Sequence, residues 1–105
     1  MIRNPIIVAL DVESSGQASE LVKRLGDSVS FYKVGMELYA AAGMDVVRAL
    51  LDAGKEVFLD LKLYDIPETV RRAVAQVART GVRFVTVHAV DSVMRAAREI
   101  GRAHV

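Results

Sequence analysis

Residues 57–69 read VFLDLKLYDIPET, and this stretch joins a predicted β-strand to a predicted helix. Its first half alternates between an apolar face and a face with two charges, namely Val57, Leu59, Leu61 and Leu63 against Phe58, Asp60 and Lys62. That period of two is typical of a β-strand. Beyond it, Asp65 can cap a helix and Pro67 suits the first helical turn. The stretch therefore predicts a strand that ends with an acid and a base two residues apart.

The charged pair Asp60 and Lys62 has two interpretations. The ordinary one is a solvated strand end, which many α/β domains have. The other is a functional site, since burying a charge without a partner is costly and the opposite face of this strand is wholly apolar. The rest of the chain decides between them.

Composition limits the class of protein. The chain has 105 residues, 52% hydrophobic and 26% charged, which predicts one globular domain rather than a disordered chain. Its net charge of +1 gives no reason to expect nucleic acid or a membrane surface as a partner. The absence of cysteine excludes disulfides and makes a reducing cytoplasm the expected location. Neither a signal peptide nor a membrane-spanning run is expected.

Predicted strands and helices alternate along the chain. The strands cover residues 6–11, 29–35, 56–63 and 83–89, and the helices cover residues 17–25, 37–52, 67–79 and 91–100, with an interruption at Gly43. Four strand–helix units of this length predict βα crossovers and one parallel sheet. The expected fold class is therefore α/β.

Each predicted strand has an aliphatic face and a second face that becomes polar toward the carboxyl end. The polar positions are Asp11, Lys33, Asp60, Lys62 and His88. The carboxyl ends of parallel strands meet at one edge, where α/β folds carry their functional sites. If these were only solvated strand ends, their polar residues would not be expected to lie on the same face of the sheet in all four strands. The pattern therefore predicts a site on the sheet face away from the helices.

Four segments of the chain resemble one enzyme family. They are LDV at residues 10–12, YKVG at 32–35, DLKLYDIPETV at 60–70 and VHA at 87–89, and they are similar to the N-terminal half of orotidine 5′-phosphate decarboxylase. The DxKxxD core is shared with a wider superfamily of sugar-phosphate decarboxylases and aldolases, whereas the DIPxT continuation is more specific. The resemblance implies that residues 1–105 form half of a (β/α)8 TIM barrel within a cytoplasmic homodimer. It also implies conversion of orotidylate to UMP with no metal and no organic cofactor.

The resemblance further implies roles for individual side chains. Lys62 would protonate C6 of the pyrimidine as carbon dioxide leaves. Asp60 would lie beside the substrate carboxylate and hold Lys62, while Lys33 would hydrogen-bond Asp60 and the ribose. Asp11 would bind a ribose hydroxyl. Preorganised charge of this kind suits a reaction that leaves a carbanion with no cofactor to delocalise it.

A second group of residues is implied to act at the rim of the site. Asp65, with Ile66 and Thr69, would reach the active site of the partner subunit and complete an alternating Lys-Asp-Lys-Asp row. His88 would lie near the substrate without a chemical step of its own.

The length of the chain departs from the family pattern. A (β/α)8 barrel takes about 250 residues, so strands five to eight and the arginine that grips the phosphate are expected to be missing. We expect weak decarboxylation or none from the chain alone. Self-association is also expected, since exposed apolar surface on the barrel-interior face is unfavourable. The residues concerned are Ile7, Phe31, Phe58 and Phe84.

Two other functions remain open at this point. A receiver-type phosphorylation switch also has parallel strands with acids after strand one and at the end of strand three, here Asp11, Glu13 and Asp60, and a threonine on strand four, here Thr86. That function gives the two lysines no role. The second is a non-catalytic module that folds and self-associates but turns nothing over.

A metal site is not expected, because the histidines lack ligand spacing and lysines already match the carboxylates.

Overall fold

Parallel pairing of four strands builds the sheet. The computed structural model describes residues 6–104, and side chains for residues 6–100. The strands are β1 (Val8–Ala9), β2 (Phe31–Gly35), β3 (Glu56–Leu63) and β4 (Phe84–Val87), in the spatial order β1-β2-β3-β4. Neighbouring strands are parallel throughout, with Tyr32 opposite Val57 and Phe58 opposite Phe84. The predicted α/β class with a parallel sheet is confirmed.

Helices connect the strands. They are α1 (Ser15–Leu25), α2 (Met36–Ala42), α3 (Met44–Asp52), α4 (Pro67–Ala78) and α5 (Asp91–His104), with a 3₁₀ turn at Gly26–Ser28. The predicted interruption at Gly43 is confirmed: its φ of 64° separates α2 from α3 and lies in the left-handed region that favours glycine. Within residues 6–104, no helix combines the length and the apolar character that crossing a membrane requires.

The first strand is shorter than the predicted range of residues 6–11. Strand β1 pairs with β2 through Val8 and Ala9, and one further bond joins the Leu10 N–H to the Lys33 carbonyl at 2.9 Å. In the sheet as described, β1 has a neighbour on one side only. Strand β4 also has one neighbour only and still extends over four residues, so the structure gives no physical reason for the early end of β1.

The prediction that Asp65 caps the helix after β3 is wrong. Ile66 occupies the cap position of α4, and the Asp65 carboxylate accepts the Ile66 backbone N–H at 2.7 Å. A capping side chain binds the N–H of the second or third helical residue, and proline has none. Capping by Asp65 would put Pro67 at that second position. With Ile66 as the cap, Pro67 becomes the first helical residue, where its missing N–H costs nothing.

The main core lies between the sheet and helices α1 to α3. Its fully buried side chains include Leu10, Tyr32, Val34, Leu38, Val47, Val57 and Leu59. A second cluster packs α4 against α5 through Val70, Val74, Val93 and Ala96. Alternation along β2 and β3 explains the first cluster, because every second residue of each strand faces the helices.

The opposite face of the sheet is aromatic. Phe31 and Phe84 stack with their ring centroids 5.9 Å apart, and Phe58 meets Phe84 edge-on at 6.0 Å. Phe84 is 50% exposed and Ile7 is 41% exposed. We call these four residues the lumen face, and it remains partly open to solvent.

Candidate active site

Asp60 lies at the centre of a charged cluster near the carboxyl ends of β2 and β3. It follows the buried Leu59 on β3 and is the register partner of Gly35 on β2. Because side chains alternate along a strand, burial of Leu59 against the helices sends Asp60 to the opposite face. Lys33 reaches that face from β2, where its neighbours Tyr32 and Val34 are buried. The period of two in the sequence thus brings an acid and a base together from adjacent strands.

Two ammonium groups flank the Asp60 carboxylate. The Lys62 Nζ atom lies 3.1 Å from Oδ1, and the Lys33 Nζ atom lies 3.5 Å from Oδ2. The Asp60 side chain is 12% exposed, whereas that of Lys62 is 57% exposed. A carboxylate withdrawn from water needs such partners to remain charged. The cluster of one acid and two bases carries a net positive charge.

Thr86 joins the cluster from strand β4. Its hydroxyl donates to Asp60 Oδ1 at 2.7 Å and accepts the Lys62 backbone N–H at 2.9 Å. A hydroxyl has one proton and two lone pairs, so both bonds form at once. Three neighbouring strands therefore meet at Asp60.

The register between β3 and β4 is irregular at the cluster. Leu59 pairs with Val85 and Leu63 pairs with Val87, so four steps along β3 match two steps along β4. Lys62 lies inside this bulge with a φ of 51°, which is uncommon for a residue that has a Cβ atom. Bulges bend a strand and redirect its side chains, and they occur often beside active sites.

Its neighbours keep Asp60 ionised. The hydrogen bond from Thr86 is the largest influence on the pKa of Asp60 and lowers it. Partial burial raises the pKa, and the hydrogen bond and charge of Lys62 and the charge of Lys33 lower it again. The net pKa is below the ordinary value of 3.8, so the carboxylate is negative at neutral pH.

Other predicted site residues lie outside the cluster. Asp11 is exposed just beyond β1, and a Cβ atom added at Gly35 would lie 3.9 Å from its Oδ1. Ile66 is 65% exposed, and Asp65 and Thr69 are exposed as well. Within the described residues, neither Asp11 nor Asp65 forms an ion pair with a lysine of the cluster. The roles of these residues toward substrate or a partner subunit stay predictions.

His88 lies immediately after β4 at the same edge of the sheet. Its ring stacks on Tyr64, with centroids 4.6 Å apart and planes inclined by 18°. Its backbone N–H donates to the Leu63 carbonyl at 2.9 Å, which continues the β3–β4 pairing past the bulge. The stacking on Tyr64, in the loop after β3, therefore places the His88 ring at the rim of the site.

The cavity next to Asp11 is separate from the charged cluster. A cavity of about 520 Å³ lies beside Asp11, between the loop after β1 and helix α1, and its lining includes Glu13, Glu20 and Arg24. Asp60 and its partners do not line this cavity; they lie on the lumen side of the sheet. Among the side chains of residues 6–100, no three acidic or histidine groups are placed so as to hold a metal ion.

Thr86 contacts Asp60 and Lys62, whereas the sequence analysis named it only for the receiver-type alternative and gave it no role in a decarboxylase site. Its place on the fourth strand, in phase with Phe84 and His88, is the signal that could have found it. Its contacts with Asp60 and Lys62 depend on the bulge, however. The bulge has no glycine at the position of positive φ that would mark it in the sequence.

Successive βα units, a parallel sheet and charged side chains at the carboxyl ends of its strands define the class of protein. They are the features of a (β/α)8-barrel enzyme, with the site at the strands' carboxyl ends. Residues 4–105 match the model of one family, described as orotidine 5′-phosphate decarboxylase / HUMPS family. The chain belongs to this family, and the predicted resemblance is confirmed.

Individual relatives agree with this assignment. Orotidine 5′-phosphate decarboxylase from Bradyrhizobium sp. strain BTAi1 is 52% identical over 95 residues, which cover 90% of this chain and 39% of the relative. The enzyme of the same name from Afipia carboxidovorans is 51% identical over 100 residues, covering 95% and 43%. The crystal structure of the Lactobacillus acidophilus decarboxylase superimposes with a TM-score of 0.85 at 39% identity, covering 98% of this chain and 47% of that one. The chain thus spans less than half of each of these relatives.

Proposed function

We propose that this chain forms the lysine–aspartate part of the active site of an orotidine 5′-phosphate decarboxylase. Such an enzyme converts orotidylate to UMP and carbon dioxide in pyrimidine biosynthesis. The observation that carries the proposal is the Asp60 carboxylate between the ammonium groups of Lys33 and Lys62. The names of the relatives support the substrate, and family membership favours this function over a receiver-type switch.

The charges of the cluster suit the chemistry of this reaction. When the bond between C6 and the carboxylate breaks, carbon dioxide leaves and the electron pair stays on C6. C6 then takes a proton from the Lys62 ammonium, which becomes a neutral amine until water reprotonates it. Two nearby cations stabilise the negative charge that develops on the ring.

Asp60 has two roles in this proposal. Its negative charge attracts the Lys62 ammonium group and holds it within reach of C6. It also lies beside the substrate carboxylate, where repulsion raises the energy of bound orotidylate, and this repulsion is relieved as carbon dioxide leaves. The low pKa of Asp60 supports both roles, because each requires the ionised carboxylate.

The remaining residues are proposed to bind and enclose the substrate. Lys33 and Asp11 hydrogen-bond the ribose, and His88 lies at the rim. In a cytoplasmic homodimer, Asp65, with Ile66 and Thr69, reaches the site of the partner subunit. The exposure of these last three side chains supports such a contact.

A second candidate function is a non-catalytic module that self-associates. The exposure of Phe84 and Ile7 on the lumen face is the observation that favours it. In this case the chain covers its apolar face with a second copy and turns over no substrate.

Formation of UMP from orotidylate tests the proposal. The assay compares the 105-residue chain with a polypeptide that joins it to the remaining length of the Bradyrhizobium relative. We expect turnover from the joined polypeptide, and little or none from the chain alone, because binding energy from distant parts of a substrate is what an enzyme converts into rate. A joined polypeptide that folds and binds UMP but leaves orotidylate intact would contradict the proposal and favour the non-catalytic module.

A further inference from the structure

At the cluster, the pairing of β3 with β4 is irregular between the pairs Leu59–Val85 and Leu63–Val87. Lys62 lies in this stretch, and its φ is 51°. Its backbone N–H donates to the Thr86 hydroxyl at 2.9 Å. A side chain of β4 thus binds the backbone of β3 at the residue with positive φ.

The direction of each Thr86 bond is fixed by its partner. The Lys62 backbone N–H can only donate, so it uses a lone pair of the hydroxyl oxygen. The ionised Asp60 carboxylate can only accept, so it takes the single hydroxyl proton at 2.7 Å. Two hydrogen bonds therefore fix the orientation of the hydroxyl, which connects the backbone of Lys62 to the carboxylate of Asp60.

We propose that Thr86 is a positioning residue for the Asp60–Lys62 pair. It holds the bulge that presents Lys62, and it orients the carboxylate oxygen that lies 3.1 Å from Lys62 Nζ. The charged groups that face Asp60 are Lys33 from β2 and Lys62 from β3, while β4 contributes the neutral hydroxyl. This inference rests on the proposed function only for its effect on turnover.

Three variants separate the hydroxyl of Thr86 from its methyl group. Thr86→Val keeps the shape and removes the hydroxyl, Thr86→Ser keeps the hydroxyl, and Thr86→Ala lacks both. Two NMR measurements on the 105-residue chain report the contacts, namely the pH titration of the Asp60 carboxyl carbon and the hydrogen exchange of the Lys62 amide. Circular dichroism checks that each variant is folded.

We expect Thr86→Val and Thr86→Ala to raise the pKa of Asp60 and to speed exchange of the Lys62 amide about tenfold, the effect of losing one hydrogen bond. Thr86→Ser should retain the native behaviour in both measurements. The Ser and Ala variants both lack the methyl group, so their comparison decides the matter even where Thr86→Val fails to fold. Identical behaviour of Ser and Ala, or an unchanged Asp60 titration in a folded Val variant, would overturn the proposal.

The steady-state kinetics of the joined polypeptide test the effect of Thr86 on catalysis independently of the NMR measurements. We expect Thr86→Val to lower kcat about 10–100-fold with little change in KM, because a misplaced proton donor affects the chemical step more than binding. Thr86→Ser should restore kcat. If the NMR effects occur while the wild-type joined polypeptide fails to decarboxylate orotidylate, the positioning role of Thr86 stands and the proposed function falls.

Discussion

At the scale of single residues, Asp60 organises the site. It is the one acid among two lysines and a threonine, and its side chain is largely buried. Isolated burial would favour the neutral acid, but four favourable contacts and charges outweigh this effect and lower its pKa. Asp60 therefore supplies a negative charge beside the Lys62 ammonium group, which is the proposed proton donor.

The lowered pKa of Asp60 predicts how stability depends on pH. Ionised Asp60 stabilises the fold above the ordinary aspartate pKa of 3.8, and this contribution is lost as the pH falls through the lower native value. Asp60→Asn cannot titrate. The difference in free energy of unfolding between wild type and Asp60→Asn should be constant from about pH 5 to 7 and should shrink below about pH 4. Urea unfolding at several pH values measures it, and a difference independent of pH would show that Asp60 is not stabilised in its charged form.

Tyr32 offers a second test at this scale. Its hydroxyl is buried in the main core, where it has no hydrogen-bond partner among the described side chains of residues 6–100 or the described backbone, and burial raises its pKa. An unpaired buried hydroxyl has lost its bonds to water and gained none in return. Tyr32→Phe should therefore raise the free energy of unfolding by about 1 kcal/mol. Tyr64→Phe, at a residue that is 63% exposed, is the matched control and should change little. A clear loss of stability in Tyr32→Phe would reveal a partner for the hydroxyl.

At the scale of elements, β3 joins the core to the site. Its alternate residues Val57 and Leu59 are fully buried under the helices, while Asp60 and Lys62 lie on the other face. Packing of Val57 and Leu59 against the helices thus determines where along β3 the charged side chains lie and toward which face they point.

Alanine substitutions on the two faces of β3 should change the free energy of unfolding by different amounts. Leu59→Ala should lower the free energy of unfolding by about 2–5 kcal/mol, because it leaves a cavity in a closely packed core. Glu56→Ala, at an exposed position of the same strand, should cost no more than about 0.5 kcal/mol. Chemical denaturation compares the two. Equal effects would mean that the strand does not have the predicted inward and outward faces.

Much of the sheet could be predicted from the sequence, and its exceptions have physical causes. Strands β2 to β4 carry a clear period of two, so their positions and the meeting of Lys33 with Asp60 follow from the pattern. The early end of β1 at Ala9 was not predicted, because the apolar alternation of the sequence continues past this residue. The bulge at Lys62 was not predicted either, because it depends on how β3 and β4 pair and includes a hydrogen bond from the Lys62 N–H to the side chain of Thr86.

At the scale of the whole molecule, one side of the sheet is covered by helices and the other is not fully covered. Phe84 is half exposed on the lumen face, and burying a phenylalanine side chain completely contributes about 1.5–3 kcal/mol. Several such residues on one face favour contact with another apolar surface. In the 105-residue chain by itself, a second copy is the proposed source of that surface.

Self-association through the lumen face can be tested with charge. Phe84→Asp should shift the chain toward the monomer mass of 11.5 kDa, because a carboxylate is unfavourable in an apolar contact. Met94→Asp is the matched control: Met94 is 45% exposed on α5, and its substitution should leave the assembly unchanged. Light scattering over a range of concentrations measures both. A wild-type chain that stays monomeric at every concentration would refute the proposed association.

The most direct test of the account is the rate at which the joined polypeptide decarboxylates orotidylate when Lys62 is changed to alanine. Lys62→Ala removes the proposed proton donor and leaves Asp60 with one cation fewer, so kcat should fall by about 100–10,000-fold or more. Lys23→Ala, at an exposed lysine of α1, is the control and should keep the wild-type rate. Retention of wild-type kcat by folded Lys62→Ala would contradict the central claim that the Asp60–Lys62 pair carries the chemistry.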